Sequence, residues 1–177
     1  SMLIDWHSHH TAPELVKQFA QWGEQPPRTD GQDTPDFSRR VQEMDIAGVD
    51  LQLVSQSAGL NADRFSPERA MEAVRTSNDL IAQRIAPYPE RLIGNIAFTF
   101  QDVEGSVSEI QRMAERGFRA VMVYAWGEMI GRPETEPIFA KIAEQGLPIF
   151  LHGGANYPRA PGLEHLEDGG QGVVVSA

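Results

Sequence analysis

Met2-Leu3-Ile4-Asp5-Trp6-His7-Ser8-His9-His10 is the stretch on which the reading of this chain turns. Apolar residues lead to Ile4 and polar ones take over at Asp5, the form of a short strand that delivers side chains to a site at its C-terminal end. Side chains alternate along an extended strand, so Asp5, His7 and His9 are expected on one face, with His10 pointing away or starting a turn. His7 and His9 can then aim two imidazoles at one ion about 2 Å from each donor. The competing reading is a histidine-rich terminus that packs or stays solvated, and spacing alone leaves both open.

The same pattern returns near residue 150, where Leu147-Pro148-Ile149-Phe150-Leu151 runs into His152, Gly153 and Gly154. Between the two lies a regular alternation. Pro13 with Leu15, Val16, Phe19 and Ala20 has helical spacing. Thr34-Pro35 reads as an N-cap and first helical residue ahead of Phe37, Val41 and Met44, with Gly48 as the stop and a strand over 49–54. Ser66-Pro67 opens a helix with Ala70, Val74, Ile81 and Ile85 as its buried line, and a strand follows over 92–100. Val107, Ile110, Met113 and Ala114 mark a helix closed by Gly117, then a strand over 118–124, then a helix over 137–145 closed by Gly146. Apolar strands separated by amphipathic helices predict a parallel sheet covered by helices. All strand C-termini then face one side, where ligands gather, which brings His152 toward His7 and His9. Periodicity does not separate an open doubly wound sheet from part of a barrel. Neither G-x-G-x-x-G nor G-x-x-x-x-G-K-[ST] occurs, so the two strongest phosphate-cradling signatures are missing.

The 177 residues carry 25 acidic and 15 basic side chains, a net charge of −10, and no basic run. Nucleic acid and anionic membranes are therefore not expected partners. The chain has no cysteine, which excludes disulfides, a Cys nucleophile and thiolate metal sites, so any metal is held by nitrogen and oxygen. No apolar run is long enough to span a membrane, and Asp5 and His7 come too early for a secretory signal, so a cytoplasmic protein is expected. Ser1 ahead of Met2 reads as a tag remnant.

Taken together, Asp5-x-His7-x-His9, Met44-Asp45-x-x-Gly48-Val49-Asp50, Asn78-Asp79-Leu80 and the run 147–152 ending in His152 resemble the amidohydrolase-related family. The branch with aminocarboxymuconate-semialdehyde decarboxylase and the resorcylate decarboxylases looks closest. The resemblance implies an α/β, TIM-type (β/α)8 barrel and a metal-dependent enzyme. His7 and His9 would be ligands from the first strand and His152 from the fifth, with zinc the expected divalent ion and manganese or iron as alternatives. The family's catalytic histidine after strand six and metal-binding aspartate at strand eight have no counterpart here. A barrel takes about 250 residues, so residues 2–177 are expected to form the N-terminal part of one barrel domain, with about five strands represented and the C-terminal units absent.

Other site candidates are weaker. Asp5 is expected to orient a ligand histidine through its other ring nitrogen, or to serve only in packing. Arg28 lies where relatives carry an arginine for a substrate carboxylate, and Trp126 is expected to wall the pocket. Glu128 is a proton-relay candidate that more readily fits a surface carboxylate; His165 sits in a Pro/Gly-rich connection with no strand before it. Ser55 and Asn95 are candidate polar groups of the site, whereas Arg39 and Arg40 are expected to face solvent or an acidic neighbour. The leading functional expectation is non-oxidative decarboxylation of a small unsaturated or aromatic carboxylic acid. A metal-dependent hydrolase or hydratase acting on a lactone, ester, amide or unsaturated acid is the alternative, as is a noncatalytic fragment. The expected partner is a small carboxylate, with a homodimer left open.

Overall fold

The computed structural model describes residues 2–24, 35–57, 60–124 and 129–152. Strands and helices alternate: β1 (Ile4–His10), α1 (Pro13–Gln21), α2 (Ser38–Ala47), β2 (Leu51–Gln56), α3 (Pro67–Ile85), β3 (Leu92–Ile96), α4 (Val103–Glu115), β4 (Ala120–Tyr124), α5 (Glu136–Glu144) and β5 (Ile149–His152). A 3-10 turn, Pro133–Thr135, leads into α5. None of the described helices is long and apolar enough to cross a membrane.

Local chemistry sets most of these boundaries. Pro13 and Pro67 stand in the first turns of α1 and α3, where a missing N–H costs nothing. The Asp102 carboxylate caps α4 by accepting the Gly105 N–H at 2.9 Å. Gly48 ends α2 in the left-handed region at φ 70°. The start of α2 differs from expectation: Pro35 lies ahead of the helix, which begins at Ser38, and Asp36 accepts the Ser38 N–H and hydroxyl, both at 2.8 Å, while Thr34 lies outside the described residues. That Asx arrangement offers the chain a turn ahead of the helix.

All strand pairs are parallel and the sheet order is β1-β2-β3-β4-β5. In a flat sheet four spacings of about 4.8 Å would hold the outer strands about 19 Å apart. Yet the ring centroids of His9 on β1 and His152 on β5 are only 5.1 Å apart. The sheet therefore curls, and the five strands form an arc of a barrel rather than an open doubly wound sheet.

Register assigns the two faces of the arc. Val54, Leu92, Ile96, Val121 and Val123 share the outer face and pack with Met44, Ile81, Ile110, Met113, Ile138 and Ile142 from the covering helices. Each such buried side chain is worth about 1.5–3 kcal/mol relative to leaving it exposed. Phe118 fills the space over Gly94, where any Cβ would collide with its ring. A buried clamp ties this layer together: Asn78 on α3 donates to the Ala97 carbonyl and to Glu109 Oε1 of α4, each at 2.9 Å, and accepts the Ala97 N–H at 2.9 Å. Asn78, read above as part of a family resemblance, thus serves the fold.

Candidate metal centre

Ile4 and Asp5 pair with Leu51 and Gln52, but Ser8 pairs with Val54, so three steps of β1 match two of β2. This is a bulge at Trp6 and His7, and one extra residue reverses which side chains face inward. Beyond it, His9 lies level with Ser55 on the concave face, while Ser8 and His10 join Val54 and Gln56 on the helix side. Before it, Asp5 falls level with Gln52.

The expectation that Asp5 shares the face of His7 and His9 therefore fails. Its Oδ2 accepts Gln52 Nε2 at 2.6 Å and its Oδ1 accepts the backbone N–H of His7 at 3.1 Å. Asp5 meets His7 through the main chain, not through the ring. Arg40 is also placed differently from expectation. Its guanidinium donates to Gln52 Oε1 at 2.8 Å and to the His9 carbonyl at 2.7 Å, bracing the strand from behind. Burial pushes the Arg40 pKa down, with the charges of Asp5 and Glu43 opposing. Arg39 does face outward, paired with Glu43 at 2.9 Å.

On the concave face the three imidazoles meet. His7 Nε2 is 2.8 Å from His9 Nε2, and His9 Nε2 is 3.2 Å from His152 Nε2. One ligating nitrogen from each of the three lies within 4.8 Å of the others, His7 exposed and the other two half-buried. A tetrahedral ion with bonds of about 2.1 Å puts neighbouring donors about 3.4 Å apart, so the donor set fits a divalent cation with small adjustment. Phe150 lies 5.1 Å from the His7 ring and Tyr124 lies 5.2 Å from the His152 ring, giving the cluster aromatic flanks.

His10, next in sequence, has a different role. It is buried on the outer face, edge-on to Phe37 at 4.9 Å, and takes a hydrogen bond from Arg84. Arg84 in turn binds both carboxylate oxygens of Glu14 at 2.7 Å. Ser55 and Asn95 are buried on the concave side and joined by a 2.7 Å bond from Asn95 Nδ2 to Ser55 Oγ. Tyr124, not singled out from sequence, stands on the same side, and at the strand ends it shares a small cavity with Gln56, Asn61 and Asn95. The signal for Tyr124 is its place at the end of β4, level with His152. Arg28, Trp126, Glu128, Gly153, Gly154 and His165 lie outside the described residues.

Comparison with known proteins agrees with this architecture. The amidohydrolase family model matches residues 4–169. The chain is 28% identical over 116 residues to a 2-amino-3-carboxymuconate-6-semialdehyde decarboxylase of Dictyostelium discoideum, covering 64% of this chain and 32% of that protein. It is 25% identical over 169 residues to a gamma-resorcylate decarboxylase of Rhizobium radiobacter, covering 86% and 49%. Among solved structures, 5-carboxyvanillate decarboxylase of Sphingomonas paucimobilis superposes with a TM-score of 0.73 at 25% identity, covering 85% of this chain and 51% of that one. The Novosphingobium aromaticivorans enzyme of the same name, solved with manganese and 4-hydroxy-3-methoxy-5-nitrobenzoic acid, gives 0.70 at 22%, covering 85% and 50%. The chain thus spans a third to a half of these relatives. With the family model matched from the first strand past the fifth, and the strands curled as part of a TIM barrel, the chain belongs to the amidohydrolase family.

Proposed function

We propose that these residues form the first part of a metal-dependent, non-oxidative decarboxylase acting on a small aromatic carboxylic acid. The observation that carries this reading is the convergence of His7, His9 and His152 at the C-terminal ends of β1 and β5. Decarboxylase relatives supply the reaction class.

His7, His9 and His152 would hold the cation. Three imidazole nitrogens suit zinc, and manganese is the ion in a related decarboxylase structure. A divalent ion bound there supplies positive charge against the negative charge that develops on substrate oxygen. Arg40 holds the His9 carbonyl in place, and the bulge at Trp6 and His7 sets both rings inward. Phe150 and Tyr124 offer faces against which a planar ring can pack. Arg28 is assigned to the substrate carboxylate and Trp126 to the pocket wall. In the reaction the bond from ring carbon to carboxylate breaks, carbon dioxide leaves, and a proton takes its place on carbon.

Metal analysis of the intact protein beside a His7→Ala, His9→Ala double variant tests the ligands. About one ion per chain is expected, lost in the variant; unchanged stoichiometry overturns the assignment. Carbon dioxide release from hydroxylated benzoates without net water consumption supports decarboxylation. Turnover of a lactone or amide with proton release, and none of the acids, overturns it.

A further inference from the structure

The two candidate ligands on β1 are held differently by their strand. His9 is in regular register with β2, level with Ser55, whereas His7 lies in the bulge between the pairs Asp5 with Gln52 and Ser8 with Val54. A bulged residue has lost the ladder that would fix its direction. Two ligands nevertheless need to be held within about 0.5 Å of their working geometry to act as a pair.

A circuit of side chains stands in for the missing ladder. Asp5 Oδ1 accepts the His7 N–H at 3.1 Å, and Asp5 Oδ2 accepts Gln52 Nε2 at 2.6 Å. Gln52 Oε1 accepts Arg40 Nη1 at 2.8 Å, and Arg40 Nη2 donates to the His9 carbonyl at 2.7 Å. The path leaves the main chain of β1 at His7 and rejoins it at His9. Ser8, between them, is fixed separately, its buried hydroxyl donating to the Leu53 carbonyl at 2.7 Å.

Few residue types can fill the middle of this circuit. An ionised Asp5 only accepts and Arg40 only donates, so the residue that links them must donate at one end and accept at the other. A primary amide does so and has one usable orientation, nitrogen to Asp5 and oxygen to Arg40. Gln52 is only 9% exposed, so water is a poor substitute for either bond. A leucine there would leave both charged groups without their link, and a glutamate would set a second carboxylate against Asp5.

We propose that Asp5, Gln52 and Arg40 are positioning residues that together hold His7 and His9 at the spacing of a chelating pair. Breaking any one link then loosens the site as a whole. The proposal rests on the reading of His7, His9 and His152 as metal ligands and adds what keeps the first two in place.

The test is titration of the intact, metal-free protein with cobalt(II), whose visible bands report coordination geometry, with chelator competition to measure affinity. The variants are Gln52→Leu, Arg40→Met and the two combined, each checked for folding by circular dichroism, with Gly94→Ala as a control destabilised away from the circuit. Each single variant is expected to bind cobalt about tenfold more weakly, with altered visible bands. The combined variant should lie within about threefold of the singles, because one broken link already opens the circuit. Arg40→Lys keeps the charge but not the two-pronged fork, so it should fall with Arg40→Met, and it decides the matter where the other variants do not fold. Gly94→Ala should keep wild-type affinity and bands.

Wild-type affinity and bands in the folded circuit variants overturn the proposal. Losses that multiply to about a hundredfold in the combined variant also overturn it, since the residues would then act independently. An equal loss in Gly94→Ala does the same, by making the effect one of stability. Cobalt binding that is lost in the His7→Ala, His9→Ala double variant yet untouched in the circuit variants counts against this proposal alone; wild-type protein that takes up no cobalt counts against the ligand reading and the proposal together.

Discussion

Along the outer face of the arc Val54, Leu92, Ile96, Val121 and Val123 are buried against helices and ask for nothing more. On the concave face of the same strands stand His9, Ser55, Asn95, Tyr124 and His152, with imidazole nitrogens crowded together. Apolar groups are satisfied by contact with each other, which holds along β2, β3 and β4 but not at β5, where Ile149 and Leu151, level with Val121 and Val123, are exposed. Buried polar groups need specific partners, and the concave face of five strands presents such groups in number. The outer face is almost wholly given to the fold, while the concave face adds polar groups to a lining that includes buried Leu53, Ala120 and Met122.

If that division is right, stability and metal binding should separate by face. The largest loss of stability is expected from Phe118→Ala, about 3–5 kcal/mol by denaturant melt, with metal content of the folded fraction unchanged. Gly94→Ala forces a methyl into the Phe118 ring and should cost about 1–3 kcal/mol, again without effect on metal.

A polar contact on the outer side should behave as structure too. Burial raises the Glu14 carboxyl pKa, but the hydrogen bond and charge of Arg84 outweigh it and hold the group below its ordinary 4.5. A depressed carboxylate stabilises the fold above its unfolded value and loses that contribution as pH falls through the folded one. Glu14 is half-exposed, so solvent screening keeps the expected cost of Glu14→Gln near about 1 kcal/mol at pH 7. The gap to wild type should shrink in melts run well below pH 4.5. A gap that widens in acid would refute the pairing.

The smallest effect on stability is expected from His152→Ala in metal-free protein, within about 0.5 kcal/mol, while metal affinity falls by an order of magnitude or more in equilibrium dialysis. Loss of several kcal/mol from this variant would show that the concave face is itself part of the packing, and the contrast between faces would collapse.

The places where the sequence reading held are those ruled by neighbours in the chain. Ser66-Pro67, Gly48 and Gly117 mark helix ends in the sequence and do so in the fold. The apolar line Ala70, Val74 and Ile81 is buried as its spacing requires. Where it failed, the partner was distant. Asp5 was assigned to the wrong face because alternation assumes an unbroken strand, and the bulge exists only in the pairing with β2. Arg40 looked like a solvent-facing helix residue, yet it reaches Gln52 and the His9 carbonyl. Gln56 and Asn61 carry no motif, and only the fold brings them to one cavity with Asn95.

By itself the sequence determined the alternation of apolar strands and amphipathic helices, the nitrogen and oxygen chemistry of any metal site, and the three histidines that end two strands. Each follows from residue type and from periods of two or 3.6 residues, which are local properties of the chain. Only the tertiary structure decided that the sheet curls, that Asp5 turns away from the site, and that Gln56, Asn61 and Asn95 share one small cavity. Curl accumulates from strand to strand and hydrogen-bond satisfaction is a sum over the whole neighbourhood, so neither is written in any short stretch of residues.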